Sequence, residues 1–306
     1  MRILRENKSE SGLALVTVLL VTAVLATLVT DFIYRTYIAS SRAGNLRDSA
    51  RAALIAGDGV ALARAGLEEF LKKDANIVMD PTGMVFSQPV GEDLSVEIRA
   101  VDERARLSTR IAYPLTGVLE PKAHGSFLRL LKVVKAEDSL ADQLVDWIDS
   151  DTTPRGRGAE ESYYMTLAEP YKPRNNYPES VDELLLVKGF TPEVLRSIGP
   201  YITPYVPDGL VNINTAPRTV LMALTEEMTG ELADEIIKYR NKTPFRDRSD
   251  VMKVPGFEKT GFGLQDRVTA TSRLFRVYSR AKSGEVIREV EAVVQVGGGI
   301  LYWREM

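Results

Sequence analysis

Four acidic side chains, Asp149, Asp151, Glu160 and Glu161, flank a loop that reads Pro154-Arg155-Gly156-Arg157-Gly158. Carboxylate oxygens are hard ligands, and several of them gathered across one short loop suit calcium. The arrangement is not an EF-hand, because Pro154 stands where that loop needs glycine and no Glu falls at its twelfth position. The same residues also describe a solvated acidic helix end with Arg155 and Arg157 as ion-pair partners, and spacing alone leaves both descriptions open. Tyr163, Tyr164 and Tyr171 are expected to pack on this loop rather than to form a binding platform.

Most other chemistry is excluded by what the 306 residues lack. With no Cys there is no disulfide, no thiolate metal site and no Cys nucleophile; one histidine, His124, cannot make a His-based metal cluster. Lys and Arg number 39 against 42 Asp and Glu, giving a net charge of -3, so there is no basic field to hold a polyanion. The chain is 44% hydrophobic and 26% charged, which is ordinary globular composition, and its length suits two domains.

The elements that must position the acidic loop begin with an anchor. Residues 13–30 are eighteen positions of Leu, Ala, Val and Thr alone, bounded by Glu10 and Asp31. As a helix they reach ~27 Å, close to the hydrocarbon thickness of a bilayer, so membrane insertion is expected. Charge does not set the orientation: Arg2, Arg5 and Lys8 precede the segment and Arg35, Arg42 and Arg47 follow it. No small-residue cleavage site follows the apolar run, where the chain reads Asp31-Phe32-Ile33-Tyr34-Arg35. Beyond it, Leu46, Ala50, Ala53, Leu54, Gly57, Ala61, Leu67 and Leu71 recur at helical spacing. One helix about 90 Å long is therefore expected up to about Lys73, bent near Gly44, Gly57, Gly59 and Gly66.

Residues 76–112 change to strand period, and alternation returns only at 274–278, 286–296 and 300–303. Neither group makes a good core alone, so 31–112 and 271–306 are expected to form one discontinuous domain on the helix, interrupted by a helical insert at 113–270. Thr215 and Thr191, each shortly before a Pro, are expected helix N-caps. A degenerate repeat lies within the insert, where Asp182 to Phe190 matches Ser249 to Phe257 as short helix, Gly turn, short helix.

The charged leader at 1–12, ending Ser11-Gly12 directly before the apolar run, resembles a type IV prepilin leader. That likeness implies cleavage between Gly12 and Leu13 by a prepilin peptidase on the cytoplasmic face. Further motifs follow in order: Asp146-Trp147-Ile148-Asp149-Ser150-Asp151, Gly158 to Tyr164, Ser180 to Leu184, Val211-Asn212-Ile213-Asn214-Thr215-Ala216-Pro217, and Leu301 to Glu305. Together they resemble the general secretion pathway protein K family of minor pseudopilins from type II secretion systems. The resemblance implies an α+β fold: a pilin-like long N-terminal helix packed on an antiparallel sheet, with a large inserted all-α domain containing helix-hairpin-helix (SAM-like) repeats. It also implies a non-enzymatic role at the pseudopilus tip, in initiation and protein export, with minor pseudopilins I, J and H, the prepilin peptidase and the inner-membrane secretion platform as partners. The expected location is a single inner-membrane pass with the bulk of the chain in the periplasm. Calcium in the helical domain is implied too, although its ligands do not align one by one. Thr17, fifth after the expected cut, stands where pilins that stack into a shaft resemble one another in carrying Glu, which suits a subunit with no neighbour above.

Two alternatives remain at this stage, a minor pilin of a type IV pilus and a membrane-anchored DNA receptor. Residues 211–257 also resemble the helix-hairpin-helix domain of competence DNA-binding proteins. Such hairpins hold phosphate on a Gly-x-Gly turn, whereas here the turn falls at Glu227-Met228-Thr229 beside Glu226. Carboxylates there repel phosphate, so no nucleic-acid partner is expected.

Overall fold

The computed structural model describes residues 8–258 and 261–306; the first seven positions of the expected leader lie outside the described residues. Helix α1 runs unbroken from Lys8–Lys73, about 100 Å at 1.5 Å per residue. Its apolar first part has no buried residue among the described ones. The threonines there are self-satisfied: Thr17, Thr22, Thr27 and Thr30 donate their hydroxyls to carbonyls one turn back, at 2.8–2.9 Å. A hydroxyl that bonds its own helix leaves no unpaired polar group in hydrocarbon.

The second part of α1 lies on a five-stranded antiparallel sheet made of β1 (Met84–Gly91), β2 (Leu94–Asp102), β7 (Leu274–Ser283), β8 (Val286–Gln295) and β9 (Ile300–Glu305). Its order is β1-β2-β7-β8-β9, so the two strand groups far apart in sequence meet where β2 pairs with β7. Ala52, Ala56, Val60 and Leu67 on the helix bury against Val96, Ile98, Val277, Ala281, Val290 and Ala292. Small residues let the helix approach closely. At Gly59, expected to be a bend, a Cβ would collide with the Ser279 hydroxyl. That glycine therefore serves contact between helix and sheet.

The insert folds around a second, larger core that runs from Leu107 to Ala270. Its helices are α2 (Pro121–Val133), α3 (Ser139–Ile148), α4 (Glu161–Tyr164), α5 (Pro192–Ile198), α6 (Arg218–Met222), α7 (Gly230–Lys242) and α8 (Gly261–Gln265). It is not all-α as expected. Two parallel pairs stitch its entrance and exit, β3 (Leu107–Ser108) with β4 (Ile202–Thr203), and β5 (Val211–Asn212) with β6 (Val268–Thr269). These segments are buried, and buried backbone groups need partners that no helix there supplies. Leu107, Ile111 and Ala112, grouped with the sheet domain by sequence, pack in the insert's core.

The two expected N-caps diverge. Thr191 caps α5 by accepting from Val194 N, but Thr215 caps nothing; it donates to the buried Asp102 carboxylate at 2.7 Å. The two copies of the sequence repeat share a backbone form, with 3-10 turns where short helices are expected. Short 3-10 turns at Asp182–Leu186 and Arg248–Lys253 each lead to a glycine with positive φ, Gly189 (82°) and Gly256 (89°), then to a buried Phe190 or Phe257.

Insert and sheet are joined by buried polar contacts. Asp102 at the end of β2 accepts from Asn212 Nδ2 (2.6 Å) and the Arg104 amide (2.9 Å) as well as Thr215. Next to it, Glu103 accepts from Arg276 Nη2 (2.7 Å), Thr203 Oγ1 (2.7 Å) and Arg106 Nη1 (2.9 Å). Beyond the end of α1, Arg246 of the insert pairs with Asp74 at 2.7 Å, and the Asn76 amide donates to the carbonyls of Arg246 and Ala270. The insert therefore sits at the end of the stalk opposite the apolar segment.

Candidate metal centre

Helix α3 buries Leu140, Leu144, Val145 and Ile148 and carries Asp142 and Asp146 on its other side, with Asp149 as its C-cap. That acidic side is not left to water. The loop at 149–160 folds back over it, giving the Arg157 amide to Asp142 (3.2 Å) and the amides of Arg155 (3.1 Å) and Ala159 to Asp146. Gly156 and Gly158 are required there, since a Cβ on either would run into the Asp142 or Asp146 carboxylate. The Gly-x-Gly spacing of the loop is thus a mould of the two aspartates beneath it.

Folded this way, the loop brings Asp149, Asp151 and Glu160 together, each offering an oxygen within 4.8 Å of the others. Asp149 and Glu160 are only 2% exposed, and Asp149 Oδ1 and Glu160 Oε1 have no hydrogen-bond partner. Burial and the charges of Asp146, Asp149 and Asp151 push the Glu160 carboxyl up to about 8. Burial, reinforced by Asp149, raises Asp146 to about 6, and burial with Asp151 raises Asp149. Like charges packed without a cation destabilise one another, and a buried carboxylate without a partner is costly. Three converging carboxylates, two of them buried with an unpartnered oxygen, fit a hard divalent cation of the calcium type.

Glu161, grouped with these three by sequence, does not join them. It begins α4 and pairs with Lys172 at 2.8 Å. The preceding Glu160 has extended backbone, so the two neighbouring side chains diverge at the turn into the helix. Arg157 is no partner of the cluster either; it pairs with Asp138. Asp146, three residues before Asp149, is not one of the converging carboxylates; its oxygens accept from the Arg155 amide, and its charge helps to raise Glu160.

The far wall is aromatic. Tyr164 is fully buried edge-on to Trp147, with centroids 5.4 Å apart, and it also packs on Tyr171. Lys188 lies over the Tyr163 ring and donates to the Gly158 carbonyl at 3.2 Å, while its amide donates to the Tyr164 hydroxyl. These contacts hold the backbone on which Glu160 is mounted. The tyrosines pack, as expected from sequence.

Two further sites expected from sequence lie elsewhere. Gly12 and Leu13 are exposed on α1, with nothing within 4 Å of where a Gly12 Cβ would be. The turn between α6 and α7 carries Glu226 and Glu227, and Arg129 of α2 donates to the Ala223 and Leu224 carbonyls that lead into it. Thr229 closes the turn as N-cap of α7.

Two family models match this chain, both described as type II secretion system protein K, over residues 113–207 and 211–270. Between them they span just over half of it. The type II secretion system protein K of Pseudomonas aeruginosa is 28% identical over 95% of this chain and 90% of its own length. That of Aeromonas hydrophila is 27% identical over 94% of this chain and 93% of its own. Among solved structures, the GspK-GspI-GspJ complex from the enterotoxigenic Escherichia coli type 2 secretion system contains a chain with a similar fold. It has a TM-score of 0.71 at 17% identity, covering 87% of this chain and 99% of that one.

Proposed function

Because the chain belongs to the type II secretion system protein K family, and so is a minor pseudopilin of that apparatus, we propose that it caps the pseudopilus. The carrying observation is the placement of the insert on the end of the stalk opposite the apolar segment, fixed through Arg246, Asp74 and Asn76. A head of that size over a single helix leaves no room for another subunit to stack above. Thr17 agrees with this, since its hydroxyl is spent on the Leu13 carbonyl and offers no carboxylate to a neighbour's N-terminal amine.

The implied partners are minor pseudopilins I and J, as in the similar solved complex, together with H and the inner-membrane platform. The chain would be cut by the prepilin peptidase between Gly12 and Leu13, cross the inner membrane once and hold its two cores in the periplasm. The repeated turn units and the α6 to α7 hairpin are helix-hairpin-helix modules kept for packing, with Glu226 and Glu227 turned against phosphate. The role is architectural and has no catalytic step. Asp149, Asp151 and Glu160 would hold calcium, which supplies the charge needed to keep the 149–160 loop closed.

Antibody against the insert, applied to assembled fibres, should label one end; regular labelling along the shaft would refute the cap. N-terminal sequencing of membrane-extracted protein should begin at Leu13, and Gly12→Val should leave the leader attached.

A further inference from the structure

A hairpin at 113–118 stands directly over the carboxylates. It is closed by an Ala112 to Leu119 bridge and by the Tyr113 amide on the Val118 carbonyl and the Gly117 amide on the Tyr113 carbonyl, both 2.9 Å. Gly117 is buried in it with φ +61°, and a Cβ there would lie 2.9 Å from Asp149 Oδ2 and 3.4 Å from Asp151 Oδ2. Main chain without a side chain is therefore packed on two of the three carboxylates. Arg155 ties the same point down, donating from Nη2 to the Gly117 carbonyl at 2.9 Å while its amide holds Asp146. On the other side of the hairpin the side chains are apolar and unpartnered, with Leu115 90% exposed and Tyr113 and Val118 more than half exposed.

We propose that Gly117 makes this hairpin the closing wall of the cation site, so that a bound cation fixes the segment presenting Leu115. The inference rests on the assignment of a divalent cation to Asp149, Asp151 and Glu160. Without a cation, Asp149 and Asp151 repel each other against a wall that has no slack. With one, both oxygens are drawn inward and the hairpin seats on them. Gly117 is a positioning residue: its lack of a side chain leaves free the space beside Asp149 Oδ2 and Asp151 Oδ2.

The chain has no Cys, so Leu115→Cys gives one thiol for a nitroxide label in the full chain in detergent. Calcium chloride should slow the label, and chelator should restore its motion. Gly117→Ala adds both backbone strain and the clash with Asp149, whereas Gly209→Ala, at φ +66° with nothing within 4 Å, adds strain alone. Calorimetric titration should therefore show calcium affinity reduced about tenfold or more in Gly117→Ala, the size typical of lost second-shell support, and unchanged in Gly209→Ala. At a calcium concentration that saturates Gly209→Ala, the label in Gly117→Ala should stay mobile. If calcium binds the native chain but the label does not respond, or if the two glycine variants bind alike, the coupling is wrong while the cation site stands. If calcium does not bind the native chain at all, both fall.

Discussion

Two carboxyls with almost no exposed surface, Glu103 and Glu160, reach opposite electrostatic states within their groups. Glu103, fully buried where the sheet meets the insert, is surrounded by Arg276, Arg106 and the Thr203 hydroxyl. Burial works to raise its carboxyl, but the two arginines outweigh it and hold the group at about 2. Glu160, 2% exposed in the insert, faces Asp146, Asp149 and Asp151 instead, and is pushed up to about 8. Burial alone decides neither outcome. What decides is the charge the fold sets beside each carboxyl, two arginines at Glu103 and three aspartates at Glu160, so the first group is closed by the chain's own cations and the second is left open.

The comparison breaks most visibly when a closed pair is opened. Arg276→Met should leave Glu103 buried without its main partner and cost about 3–5 kcal/mol, read from denaturant midpoints. Replacing Glu103 and Arg276 together by apolar residues should cost much less. A double variant as unstable as the single one would mean that the pair is held for some reason other than charge balance.

The open group should gain by ligand what the closed one has already. Calcium at one hundred times its dissociation constant should stabilise the protein by about 2.7 kcal/mol, seen as a rise in melting temperature. Asp149→Asn should abolish that rise while slightly stabilising the calcium-free protein, because it removes one of the repelling charges. Superimposable melting curves with calcium and with chelator in the native chain would remove the cation from the account.

Acidity separates the two groups by sign. The Glu103 carboxyl is depressed below its ordinary 4.5, so its contribution is present above that value and is lost as pH falls towards about 2. The Glu160 carboxyl is raised, so without calcium its contribution is intact below 4.5 and is lost as pH rises through about 8. Calcium must displace that proton, and its affinity should therefore climb from pH 5 to about 8. Calcium binding that is flat over this range would show that Glu160 is not a ligand.

The smallest effect should come from Glu161→Gln. Its pair with Lys172 is exposed, and losing it should change stability by less than about 1 kcal/mol and leave calcium affinity unaltered. A large loss of affinity would return Glu161 to the site.

The apolar helix at 13–30, the strand groups and the glycine turns of the repeat were legible in the sequence, because each is a local period or a turn residue at a fixed step. The packing face of α1 was not: of the residues at the expected spacing Leu46, Ala50, Ala53, Leu54 and Ala61 are exposed and only Leu67 is buried, while Ala52, Ala56 and Val60 meet the sheet, because close approach to the strands selects small side chains over the larger apolar ones. Residues 13–30 announce a helix whatever they touch, and Gly189 and Gly256 mark their turns because few other residues accept that φ. Legibility stopped where a side chain had two local uses. Thr215 has the look of an N-cap, but Asp102, more than one hundred residues earlier, takes its hydroxyl. Gly59 could bend a helix or admit a neighbour, and only the position of Ser279 shows which.

By itself, then, the sequence determined the long helix, the strands of the sheet and the largely helical segment between them, but not the short parallel pairs β3–β4 and β5–β6, since periodicity and turn chemistry act over a few residues. It also supplied the set of acidic residues. Which of these share a site was decided by tertiary structure: Asp149, Asp151 and Glu160 converge because the 149–160 loop is moulded on Asp142 and Asp146, and Glu161 is turned away at the start of α4. The physical reason is that charge interactions depend on distances in space, and a closing loop sets those distances through backbone bonds that no spacing along the chain records.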